Sequence, residues 1–146
     1  MKTLNGKYGK LEKRRIWDVD KDMAKEIRFF ASILSCYTEN DVLTIGIGND
    51  SISPDRYLII SRFNDDDEID DSIGIQTYLS EIEVANAIEN IVLKKNSFTI
   101  DIKKKKENEV CAQKFIINFD NIDTNLLVKY INEIFLNSSV NVTIDI

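Results

Sequence analysis

Residues 64–92 carry nine carboxylates and no Lys or Arg. The carboxylates begin as a dense run and then become sparser: Asp65, Asp66, Asp67, Glu68, Asp70, Asp71, Glu81, Glu83 and Glu89. Closely spaced carboxylates repel one another, so they favour either a divalent cation or the Lys and Arg side chains of a partner. This segment is therefore the first candidate for a binding site.

A metal site is the first chemistry to consider, because the carboxylates alternate as Asp65-x-Asp67-x-Ile69-x-Asp71. A calcium loop of the EF-hand type has glycine at its sixth position and glutamate at its twelfth, and this run has Asp70 and Gln76 there. We therefore expect neither a dedicated metal site nor any other cofactor.

Catalytic groups are scarce, because the chain contains no histidine. Ser-His-Asp and Cys-His arrangements are excluded, and so is the commonest zinc ligand. Glu81 and Glu83 would share one face of a strand and could act as acid and base. Such pairs are frequent in an acidic protein, so we expect no catalytic residues and no enzymatic activity.

The net charge of −6 argues against a nucleic-acid partner, because neutralising phosphates requires a basic face. Two local basic clusters, at 13–15 and 103–106, are the exceptions, and a four-lysine run between strands is more often a solvated turn. No stretch approaches the roughly 20 apolar residues of a spanning helix. The sequence therefore predicts a cytoplasmic protein with neither a nucleic-acid nor a membrane partner.

The 146 residues suit a single domain, which we place at 16–146 after a loose basic arm at 1–15. Cys36 and Cys111 lie far apart and form no C-x-x-C pair. In a cytosolic protein this spacing predicts two reduced, buried thiols.

Strand patterns follow one another through most of the chain. Alternating or continuous apolar runs predict strands at 42–47, 56–63, 73–82, 87–93, 98–102 and 110–119. The last three are joined by short polar turns, which is typical of an antiparallel meander. The tail at 138–146 also alternates, and it is either a late edge strand or additional sequence without a defined role.

Two segments have helical periodicity. At 20–36, one helical face would hold Met23, Ile27, Phe30 and Leu34, and one side of a strand would hold Ile27, Phe29, Ala31 and Ile33. We favour a short helix followed by a strand there. At 123–136, apolar residues recur every three or four positions, and Asp120, Asn121 or Asp123 can cap the helix. The predicted fold is α+β: an antiparallel, meander-like sheet with a C-terminal amphipathic helix on one face.

Several strand segments in this order resemble the immunity protein 10 family of bacterial polymorphic toxin systems. The resemblance covers roughly 29–136 and ends in the closing helix at Ile134-Phe135. It is carried by these segments: Leu43-Thr44-Ile45-Gly46-Ile47, Tyr57-Leu58-Ile59-Ile60-Ser61-Arg62, Gly74-Ile75-Gln76-Thr77-Tyr78-Leu79-Ser80-Glu81-Ile82 and Phe98-Thr99-Ile100-Asp101-Ile102.

The resemblance implies a cytoplasmic antitoxin that binds the C-terminal effector domain of a toxin, and it brings no catalytic residues. Many such effectors attack nucleic acids through basic active sites, which an acidic surface can engage. We expect the contact to centre on Asp65, Asp66, Asp67, Glu68, Asp70 and Asp71, with Glu81 and Glu83 in support. A strand edge at 140–146 is a second possible contact. The alternative is a self-associating α+β module that forms a homodimer.

Overall fold

The computed structural model describes residues 25–63 and 68–146. We number the strands and α-helices of these residues in chain order. The strands are β1 (Glu26–Ala31), β2 (Ile33–Glu39), β3 (Val42–Gly48), β4 (Tyr57–Arg62), β5 (Ile73–Thr77), β6 (Val84–Ala85), β7 (Ile88–Lys94), β8 (Ser97–Ile102), β9 (Lys114–Phe119) and β10 (Asn141–Asp145), and the helices are α1 (Glu107–Val110) and α2 (Thr124–Ile134). The predicted arm at 1–15 and the aspartates Asp65, Asp66 and Asp67 lie outside the described residues.

The described strands form two five-stranded sheets. The first has the order β10-β7-β8-β9-β1 and the second has the order β2-β3-β4-β5-β6. The second sheet is antiparallel throughout, whereas β9 pairs with β1, and β10 with β7, in parallel. The predicted α+β class is confirmed, but the single antiparallel sheet was wrong, because the chain passes from one sheet to the other at Ser32.

Alternation of apolar and polar residues produces the strands and the core between them. In β8, Phe98, Ile100 and Ile102 are buried, while Ser97, Thr99 and Asp101, which alternate with them, are half-buried. Residues of both sheets belong to one hydrophobic cluster. Burying these apolar side chains is the main stabilising contribution to the fold, at roughly 25 cal/mol per Å² removed from water.

Within 20–36, where a short helix followed by a strand was favoured, the strand is confirmed, and it begins early: Glu26–Ala31 and Ile33–Glu39 are strands, while residues 20–24 lie outside the described residues. Phe29 and Ala31 point into the core, whereas Phe30 is 50% exposed, as the two-residue period of a strand requires. The pairing of Glu26 with Lys114 overrides the local helical pattern, and a partner 88 positions away gives no local signal.

Two predicted strands have different ends from those expected. The strand predicted at 73–82 stops at Thr77, and the chain then turns through Glu81, whose φ is 60°. The strand predicted at 110–119 starts at Lys114, because Lys104–Lys106 form a 3-10 turn and Glu107–Val110 form α1. Of the two interpretations of the tail at 138–146, the structure bears out the late edge strand: β10 lies at the edge of the first sheet and pairs with β7.

Helix α2 confirms the predicted amphipathic helix and packs against β2 and β3. Asp123 caps it by accepting a hydrogen bond from the Leu126 N–H at 3.0 Å. Leu127, Ile131 and Ile134 are fully buried. The hydroxyls of Tyr130 and Thr38 lie 3.0 Å apart, which ties the helix to β2.

Arg62, at the end of β4, holds the C-terminal end of α2. Its Nη1 atom donates to the carbonyl oxygens of Glu133, Ile134 and Leu136 at 3.3, 2.9 and 2.8 Å. The last carbonyls of a helix have no partner within the helix, and a cation there also meets the negative end of the helix dipole. Arg62 therefore fixes the position of the segment that follows α2.

Cys36 and Cys111 are free, as predicted, but both are half-buried rather than buried. Burial, followed by the negative charge of Asp123, raises the pKa of the Cys36 thiol to about 11. The thiolate is the reactive form, so Cys36 is a poor nucleophile at neutral pH.

Candidate functional site

In the described part of the acidic segment, a 3-10 turn at Asp70–Ser72 leads directly into β5. Ser72 is buried, and its hydroxyl donates to the Ile69 carbonyl oxygen at 2.6 Å. The Phe63 N–H donates to the Ser72 carbonyl oxygen at 3.2 Å. These bonds join the end of β4 to the start of β5, so Glu68, Asp70 and Asp71 lie beyond the ends of these two strands.

Three of the predicted carboxylates, Glu68, Asp70 and Asp71, line a polar hollow of about 320 Å³. Its other lining residues are Ile69, Asn86 and Asn137. We call this feature the acidic hollow. Glu68 and Asp71 are exposed, so their charges are accessible to a partner.

Asp70 has a partner within the protein. Its Oδ1 atom accepts a hydrogen bond from the Ser139 N–H at 2.9 Å. The Ser139 hydroxyl, then the Ser139 N–H and the charge of Lys103, hold the pKa of Asp70 below its ordinary value, although partial burial opposes them. Asp70 thus fastens the start of the C-terminal strand segment to the acidic turn, and it stays ionised at neutral pH.

Asp71 belongs to a short polar chain that crosses to the first sheet. Its Oδ1 atom accepts from the Asn86 Nδ2 atom at 3.0 Å, and the side-chain oxygen of Asn86 accepts from the Lys103 ammonium group. Lys103 was predicted to be part of a solvated turn, but this contact is partly buried. The Lys103 ammonium group is therefore linked through Asn86 to Asp71, a lining residue of the acidic hollow.

The Asp70→Asn variant should lose less stability than the wild type as the pH falls. A lowered folded-state pKa means that ionised Asp70 stabilises the fold above its unfolded-state pKa of about 3.9. This contribution is lost as the pH falls through the folded-state pKa. The asparagine side chain still accepts the Ser139 N–H but carries no charge. Asp70→Asn should therefore be slightly less stable than the wild type at neutral pH, and as stable as the wild type in acid. Urea unfolding at a series of pH values measures this, and a difference independent of pH would contradict it.

Glu81 and Glu83 lie apart from the acidic hollow, on the connection between β5 and β6. Glu83 Oε2 accepts from the Ser61 hydroxyl at 2.8 Å, and the Glu81 carbonyl oxygen accepts from Gln76 Nε2 at 3.4 Å. A Cβ atom at Gly74 would collide with the Glu83 side chain, so glycine is required for the carboxylate to lie over the strand. The structure therefore divides the predicted contact into two places.

Sequence reasoning missed the polar residues that complete the acidic hollow. Asn86 and Asn137 have positive φ values of 57° and 63°, which asparagine adopts more readily than most residues. Asparagine in the short polar stretches before β7 and after α2 was the available signal. Ser139 gave no such signal, because its partner Asp70 is 69 positions away.

In comparisons with known proteins, no protein-family model and no curated protein matches this chain. Within residues 25–63 and 68–146, no helix has the length and apolar character to cross a membrane. In the same residues, no group of three or more His, Cys, Asp and Glu side chains is placed to hold a metal ion.

Proposed function

We propose that this protein is a cytoplasmic immunity protein that binds and neutralises the C-terminal toxin domain of a cognate bacterial polymorphic toxin. The observation that carries the proposal is the grouping of Glu68, Asp70 and Asp71 around one open hollow. The resemblance of residues 29–136 to the immunity protein 10 family supports the same function. The proposed activity is binding, and it requires no catalytic group.

The acidic hollow suits a long basic side chain. Its exposed carboxylates can accept charge-assisted hydrogen bonds from Lys or Arg, which are roughly twice as strong as neutral ones. Asp70 orients the neighbouring backbone through Ser139, and Glu68 and Asp71 remain accessible. The net charge of −6 adds a long-range attraction that accelerates the encounter with a basic surface.

Gene position and direct binding test the proposal together. An immunity gene should lie immediately downstream of a large gene whose product ends in a variable toxin domain. Titration calorimetry with the purified C-terminal domain of that upstream product should show a tight, equimolar complex. Absence of binding by a folded toxin domain would overturn the proposed function.

The second candidate is a self-associating α+β module, and the edge strand β10 favours it. Among the described strands, β10 pairs with β7 alone, and Val142 is 36% exposed. An unpaired edge offers free N–H and C=O groups to another strand, including that of a second copy. Sedimentation would then show a homodimer that forms without any toxin domain.

A further inference from the structure

The outer face of the second sheet forms a shallow trough of about 350 Å³. Its floor contains Ser35, Gly46 and Gly48, whose small or absent side chains leave room above the strands. The aliphatic and aromatic walls are Ile33, Pro54, Tyr57 and Ile59. We call this feature the outer trough. It opens to solvent, since Ile33 at its rim is 37% exposed.

Strand register explains why the small residues lie together. Ser35 pairs with Gly46, Gly46 with Ile59, and Ile59 with Gln76, so these side chains form one row across four strands. Ile33, Gly48 and Tyr57 form the next row. Each row has one glycine on β3, Gly46 or Gly48, and these two glycines create the depression between larger neighbours.

Asp50 is the charged residue among those that line the outer trough. Arg56 lies nearby, but its guanidinium group is held over the Tyr78 ring, 5.2 Å from the ring centroid. At the other end, Glu83 lies over Gly74, which neighbours Gln76 along β5. A second copy of this chain would bring matching carboxylates against these, which costs energy. A partner with apolar side chains next to Lys or Arg fits both the walls and the rim.

The outer trough and the acidic hollow are close enough for one partner to cover both. Gln76 lines the outer trough, and Asp71 lines the acidic hollow. These residues are five positions apart in the chain, so their Cα atoms are separated by no more than about 18 Å. A standard interface of about 800 Å² on each partner spans this distance easily.

We propose that the outer trough is a second contact for the toxin domain, and that it receives an apolar side chain flanked by Lys or Arg. This inference rests on the proposed function. Interfaces commonly combine an apolar anchor in a pocket with polar contacts at the rim, and the anchor contributes most of the binding energy. The outer trough would supply the pocket and the acidic hollow would supply the polar contacts.

Gly46→Val tests the outer trough without disturbing the fold. A Cβ atom at Gly46 would meet the Ser35 carbonyl oxygen at 3.6 Å and the Ser35 Cβ at 4.0 Å, which are ordinary contacts. Valine also favours strands more than glycine does, so the melting temperature should not fall. Affinity for the toxin domain, measured by titration calorimetry, should fall by at least tenfold, because the added side chain occupies the pocket.

Thr44→Val is the matched control, since Thr44 is on the same strand and the same face but does not line the outer trough. It should bind like the wild type. If Gly46→Val proves unstable, Ile33→Ser removes a trough wall at an exposed position and should weaken binding similarly. If the wild type binds and a folded Gly46→Val variant binds with the same affinity, the outer trough is not a contact. The proposed function would still stand. Failure of the wild type to bind would overturn both.

Discussion

Replacing Glu68 and Asp71 by lysine should weaken binding to the toxin domain by about a hundredfold, equivalent to about 2.7 kcal/mol. Both side chains are exposed and line the acidic hollow, so the lysines would face the basic surface of the partner directly. Like charges placed opposite each other at an interface cost several kcal/mol. Titration calorimetry at low and at physiological salt would measure the loss.

Glu89→Lys with Asp120→Lys provides the matched control. Both residues are exposed and belong to the region of the first sheet, and the double reversal changes the net charge equally. The control should slow the encounter modestly at low salt and have little effect at physiological salt, where the screening length is about 8 Å. Equal losses of affinity in the two double variants would mean that only net charge matters and that the acidic hollow is not the site.

Arg62→Met should lower the free energy of unfolding by about 2–3 kcal/mol, because hydrogen bonds to a charged group are strong and three carbonyls lose their donor. In a domain of this size that loss lowers the melting temperature by roughly 6–12 °C. Leu136 and Asn137 would also become less firmly placed, and Asn137 lines the acidic hollow. We therefore expect weaker toxin binding in addition to lower stability, measured by calorimetric melting and titration.

Arg28→Met is the control for this second prediction. Arg28 also makes a hydrogen-bonded ion pair, with Glu26 at 3.2 Å, but its side chain is 61% exposed. Exposed pairs of this kind contribute about 0–1 kcal/mol. Equal melting temperatures for Arg62→Met and Arg28→Met would show that the three carbonyl contacts do not stabilise α2.

Local patterns made much of the fold predictable. Strands β3, β4, β7 and β8 appear close to their expected positions, because alternation and turn residues act over a few positions. Helix α2 follows from its apolar spacing and from Asp123, which caps it as one of the three expected candidates. The Asn40 and Asp41 turn is equally local, with φ values of 53° and 65° that suit a tight hairpin.

Long-range pairing accounts for the errors. No nearby residue indicates that β1 lies beside β9, or that the strands divide into two sheets at Ser32. The same limit applies to the site, because the bond that Asp70 accepts from Ser139 joins residues 69 positions apart. Glu68 and Asp71 remain predicted contacts, and Glu81 and Glu83 lie on a separate connection.

The outer trough also had no signal in the sequence. Nothing in the sequence singles out Gly46 and Gly48, because their importance depends on the neighbours that strand register places beside them. Ile59 belongs to the strand predicted at 56–63, and it is half-buried at the trough wall. Grooves on sheet faces depend on which strands pair, so they become visible only in the folded structure.

Survival of cells that express the cognate toxin domain tests the central claim most directly. The C-terminal domain encoded by the adjacent upstream gene would be expressed alone, with the wild-type protein, and with the Glu68→Lys and Asp71→Lys double variant. The proposed function predicts growth arrest by the domain alone, rescue by the wild type, and little rescue by the variant. Growth arrest that persists with abundant, folded wild-type protein would contradict it.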